Sequence, residues 1–114
     1  MTNGSANLGG PYSERRTDPR YTFIATAEII EPVSDTHISG RVSEISRKGC
    51  YVDLLNTLPK DTPIRVHITT DRGSFESEGL IIYVQDRMGV GVAFTPSQEQ
   101  QAILDAWLAE LGGA

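Results

Sequence analysis

Five of the ten lysines and arginines of this chain fall in two short stretches, residues 14–20 (ERRTDPR) and residues 44–49 (EISRKG). In the first, Arg16 and Arg20 flank a proline-restrained turn at Asp18-Pro19, so with Arg15 their guanidinium groups can converge on one ligand instead of diverging along a helix. A guanidinium pairs bidentately with phosphate oxygens or with guanine O6 and N7, and stacks on the face of the base. In the second stretch Ser46 offers a small hydroxyl and Gly49 lets backbone approach a ligand closely. Glu44 supplies a carboxylate that can accept hydrogen bonds from the N1–H and N2–H of a guanine. These residue types suit a small anionic ligand such as a guanine nucleotide; the plain alternative is that Arg15, Arg16 and Arg20 are solvated charges on a linker.

The remaining candidates for chemistry are weaker. His37 and His67 stand alone in strand-like segments without metal-ligand spacing and read as surface or rim residues. Cys50 follows Gly49 on an apolar phase and reads as a small core residue, with no His or Asn placed to activate it. Gly89-Val90-Gly91 opens no helix, so it is no dinucleotide loop, and Glu76 and Glu78 share a strand face that reads as solvent-facing. No metal site, cofactor site or catalytic machinery is expected. A net charge of -5 and a pI of about 4.9 argue against a grip on long nucleic acid, which needs a basic face to displace counterions from many phosphates. A lone cysteine cannot close an internal disulfide, the N-terminus has no leader-like apolar region, and no apolar run approaches a membrane span. A cytoplasmic location without membrane insertion is the expectation.

One domain is expected from 114 residues. Residues 1–13 are rich in Gly, Asn and Ser and read as a mobile tail; residues 14–114 form the domain. Within it an arm (14–20) leads into a run of strands (21–95). Tyr21, Phe23, Ala25, Ala27 and Ile29 alternate on one face of a first strand that stops at Pro32. Ile38, Gly40 and Val42 begin a second, whose phase slips at Ile45 as a bulge would make it. Cys50-Val52-Leu54, Ile64-Val66-Ile68, residues 75–84 and Val90-Val92-Phe94 supply four more. Six short alternating strands with no helix between them imply an antiparallel sheet that closes, since closure removes sticky edges. From Ser97 the period becomes helical to residue 111, with Ser97 as N-cap and Gln100 at the reciprocal capping-box position. The stripe of Ile103, Leu104, Trp107, Leu108 and Leu111 must bury against one mouth or side of the barrel, or against a partner.

With these elements in place, Arg16-Thr17-Asp18-Pro19-Arg20 is similar to the RxxxR motif of PilZ domains, and Glu44-Ile45-Ser46-Arg47-Lys48-Gly49 to their [D/N]xSxxG motif. The segment from Met88 to Phe94 is similar to the family's last strand. The chain resembles a stand-alone PilZ domain over roughly residues 14–95. That resemblance implies an all-β fold with one C-terminal helix, a six-stranded antiparallel split barrel. It also implies a non-enzymatic receptor that binds cyclic di-GMP through Arg15, Arg16, Arg20, Glu44, Ser46 and Gly49 and signals to an effector protein. Glu44 departs from the family's Asp or Asn by one methylene, which moves the carboxylate tip. The alternative is an interaction adaptor of the same fold that has lost the nucleotide.

Overall fold

The computed structural model describes residues 18–112; the expected tail (1–13) and the arm residues Arg15 and Arg16 lie outside the described residues. Six strands follow the sequence pattern: β1 (Tyr21–Glu31), β2 (Thr36–Ile45), β3 (Gly49–Asp53), β4 (Pro63–Thr70), β5 (Gly73–Gln85) and β6 (Gly89–Thr95). All pairings are antiparallel, and the sheet closes into a barrel in the order β1-β2-β3-β6-β5-β4. Alternation does the sorting. Ala25, Ala27 and Ile29 turn inward on β1, Val66 and Ile68 on β4, and Val90 and Val92 on β6, all buried in one core. Cys50 is buried with them, and burial pushes its thiol up to about 12, so it stays a neutral packing group.

Three irregularities interrupt the ladders. β2 carries one extra residue at Ser43, between Val42 and Glu44. The phase slip visible in the sequence at Ile45 is the downstream result of that bulge, two residues earlier. β1 gains a residue against β2 between Thr22 and Ala25, and β5 gains one against β6 between Ile81 and Tyr83. Bulges bend a strand and re-aim its side chains.

A single helix, α1 (Gln98–Leu111), follows the barrel. The Ser97 hydroxyl accepts from the Gln100 N–H at 3.2 Å, as the capping pattern predicts. The reciprocal half of the capping box is replaced: Gln100 Oε1 instead accepts from the backbone N–H of Glu76 at 2.9 Å and so pins the helix start to β5. Leu104 and Trp107 are buried, the Trp107 ring lying 5.6 Å from Phe23 and 6.1 Å from Phe75, so the apolar stripe packs on the barrel. An Arg72–Glu110 ion pair joins the β4–β5 turn to the end of α1. No helix among the described residues is long and apolar enough to cross a membrane.

Candidate functional site

The turn between β2 and β3 is built by its own residues. The Ser46 N–H donates to the Gly49 carbonyl at 2.8 Å, and the Ser46 hydroxyl accepts from the Lys48 N–H at 3.3 Å. Lys48 in turn offers its carbonyl to the Phe94 N–H at 2.8 Å, which ties the turn to β6. Gly49 has a structural reason of its own. A Cβ there would lie 2.1 Å from the Val92 carbonyl oxygen, so the adjacent strand, whatever the ligand, excludes any side chain at this position.

The arm meets this turn. Arg20 Nη1 lies 3.3 Å from Glu44 Oε1, and Lys48 Nζ lies 3.8 Å from Asp18 Oδ2, so the end of the RxxxR segment and the EISRKG turn touch through two ion pairs. Arg47 is turned the other way, its Nε 3.7 Å from Asp105 on α1. Arg20, Glu44, Ser46 and Gly49 line one groove of about 150 Å³, whose wall continues through Lys48, Tyr51, Ile82 and Tyr83. Four of the six residues singled out in the sequence therefore share one concavity, and the other two, Arg15 and Arg16, lie outside the described residues.

Register explains how the wall is made. Thr22 pairs with Glu44 across β1–β2, Glu44 with Tyr51 across β2–β3, Tyr51 with Gly91 across β3–β6, and Gly91 with Tyr83 across β6–β5. One transverse row thus crosses five strands on the outer face. The Ser43 bulge puts Glu44 on that face, and the bulge in β5 brings both Ile82 and Tyr83 outward, 42% and 38% exposed. At the centre of the row the glycines make room for aromatic rings. A Cβ at Gly91 would come within 2.5 Å of the Tyr83 ring, and one at Gly89 within 2.7 Å of the Tyr51 ring, so each tyrosine lies down over a glycine of β6. The two rings are 6.0 Å apart and inclined at 33°. Partial burial, with Tyr83 and Asp53 nearby, raises the Tyr51 phenol above its ordinary value, so it stays protonated and donates to Gln85 Oε1.

Sequence reasoning counted Lys48 only as part of the basic turn, and missed Tyr51, Ile82 and Tyr83. Tyr51 was accessible in principle, since it is out of phase with the buried Cys50 and Val52 and must face outward. Tyr83 was not, because the bulge that turns it leaves no mark in the apolar pattern. Elsewhere His37 sits outside the groove, clamped between Glu28 at 2.8 Å and Asp35 at 3.0 Å, and Glu76 and Glu78 face solvent. No group of three His, Cys, Asp or Glu side chains among the described residues is placed to hold a metal ion. The groove combines cations, one carboxylate and aromatic faces, the donors, acceptor and stacking surface that a phosphate-bearing planar base requires.

The family model described as PilZ domain matches residues 14–110. Among curated proteins none matches the chain by sequence. Among solved structures, the chain superimposes on the PilZ domain of CeSA from a cellulose-synthesising bacterium with TM-score 0.63 and 15% identity, covering 83% of this chain and 96% of that one. The PilZ domain of YcgR from Escherichia coli, solved with c-di-GMP, gives TM-score 0.71 at 13% identity over 86% of this chain and 92% of that one. The Bacillus subtilis inhibitor of motility, MotI/DgrA, gives TM-score 0.69 at 15% identity over 82% of this chain, which spans about half (49%) of that longer protein. At such identities the likeness carries the fold.

Proposed function

The chain belongs to the PilZ domain family, and from that premise we propose that it is a cyclic di-GMP receptor whose ligand lies in the groove between the RxxxR arm and the EISRKG turn. The observation that carries this reading is the convergence of Arg20, Glu44, Ser46 and Gly49, drawn from two separate motifs, on one groove. In it Arg20 takes a phosphate or the Hoogsteen edge of a guanine, and Glu44 accepts from the guanine N1–H and N2–H. The groove of about 150 Å³ is smaller than the roughly 300–1,000 Å³ of ordinary ligand pockets, so the ligand needs a cover from outside the barrel. Arg15 and Arg16, next in sequence, bring the further positive charge that two phosphates require. A ligand held between the arm and the EISRKG turn presents a new surface to an effector protein, which makes the domain an adaptor with a mechanical output.

Calorimetric titration with cyclic di-GMP tests the reading. Wild type binds, and Arg16→Ala or Arg20→Ala each loses about 1–3 kcal/mol or more, the scale of a bidentate guanine contact. No heat at high micromolar ligand would sink it. One observation favours a second reading, an interaction adaptor without a nucleotide: Arg20 and Glu44 already satisfy each other at 3.3 Å, which a purely structural closure of the arm would also require. The same titration separates the two.

A further inference from the structure

The transverse row contains a feature that neither motif accounts for: two tyrosines, on different strands, packed over glycines of β6 beside the Glu44 carboxylate. We propose that Tyr51 and Tyr83 form the platform on which one planar base of the nucleotide stacks, and that they set specificity together with Glu44. The inference rests on the nucleotide-binding reading above.

Three observations carry it. First, the missing side chains of Gly91 and Gly89 leave room for the Tyr83 and Tyr51 rings to pack over β6, and both tyrosines line the groove. Second, both rings are held in place. The Tyr51 hydroxyl donates to Gln85, and Tyr83 is braced by the contact with Gly91 and by the neighbouring Tyr51 ring at 6.0 Å. A fixed aromatic surface stacks a base with little further loss of side-chain freedom. Third, Glu44 is the cross-strand partner of Tyr51, so a base lying on the rings presents its edge to that carboxylate. Ile82, exposed next to Tyr83 by the same bulge, extends the apolar rim. The glycines of the GVGV segment thereby acquire a role: they flatten the platform.

The experiment is a titration of wild type, Tyr51→Ala, Tyr83→Ala and Tyr83→Phe with cyclic di-GMP, reading Kd by calorimetry and the guanine H8 resonance of the ligand by NMR. Stacking predicts that each alanine variant weakens Kd by roughly 5- to 150-fold. Tyr83→Phe should stay near wild type. The H8 signal should move upfield on binding to wild type and to Tyr83→Phe, through the ring current, and return toward its free position in Tyr83→Ala. Wild type that binds while both alanine variants bind equally well overturns the platform and leaves the nucleotide reading standing. Tyr83→Phe as weak as Tyr83→Ala would mean a hydroxyl contact instead of stacking and also overturns it. Wild type that fails to bind overturns both.

Discussion

Replacing Gly49 by alanine should damage the barrel before it damages any ligand contact. The added Cβ would stand 2.1 Å from the Val92 carbonyl oxygen and 3.1 Å from its carbon, whereas real Cβ contacts essentially never fall under 3.0 Å. The obstacle is backbone, so no side chain can swing aside, and β3 must move away from β6 by about an ångström at its first residue. Two links stand in the path of that movement: the Phe94 N–H to Lys48 carbonyl bond at 2.8 Å and the Gly49–Ala93 rung of the ladder. At a net ~1 kcal/mol each, with further cost for the disturbed packing, the loss is about 2–4 kcal/mol. Against the roughly 5–15 kcal/mol that holds a domain of this size, that is a large fraction, and the melting temperature should drop by roughly 10 °C. Thermal or urea denaturation of the protein without nucleotide measures it. Gly49→Ala with unchanged stability but abolished cyclic di-GMP binding would refute the reasoning and show that the glycine serves the ligand alone.

Further outcomes follow from other parts of the molecule. Glu44→Asp, which restores the family's shorter carboxylate, should tighten cyclic di-GMP binding in calorimetry; unchanged or weaker affinity would remove Glu44 from the guanine contact. In the PilZ family an arginine directly before RxxxR favours a stacked pair of ligands, so wild type should take two cyclic di-GMP per chain and Arg15→Leu closer to one; a one-to-one wild-type titration contradicts this. His37 should titrate above its ordinary value of about 6.5, because its hydrogen bonds to Glu28 and then Asp35 favour the charged ring. Its contribution to stability is fully present below the unfolded value and disappears as pH rises through the folded one, so Glu28→Gln should lower the pKa read by NMR and shrink that dependence. Amide hydrogen exchange of the arm through Arg20 should slow on adding ligand while residues 64–94 barely change; equal protection with and without ligand would place the switch elsewhere.

Much of the architecture was legible because a half-buried strand writes its period into the sequence. Tyr21 to Ile29, Ile64 to Ile68 and Val90 to Phe94 alternate without a fault, and the observed strands follow them. What the pattern could not convey is what happens between strands. Gly49 reads as a place where a ligand can come close, yet the space beside it belongs to the Val92 carbonyl, a long-range contact invisible to local spacing. Gln100 sits at the capping-box position, but β5 running beside the helix start offered it the Glu76 N–H instead. The convergence of Arg20 on Glu44 was suggested by motif chemistry, while the tyrosine pair was not, because Tyr51 and Tyr83 become neighbours only through register across β6 and a bulge in β5.

The central claim is that cyclic di-GMP occupies the groove at the transverse row, and a two-dimensional amide NMR titration of the full chain with that nucleotide tests it most directly. Saturable shifts should concentrate at Arg20, from Glu44 to Tyr51, and from Ile82 to Ala93, while a second cleft, lined by Phe23, Arg72 and Glu110, stays nearly silent. No saturable change, or shifts centred on that second cleft, would contradict it.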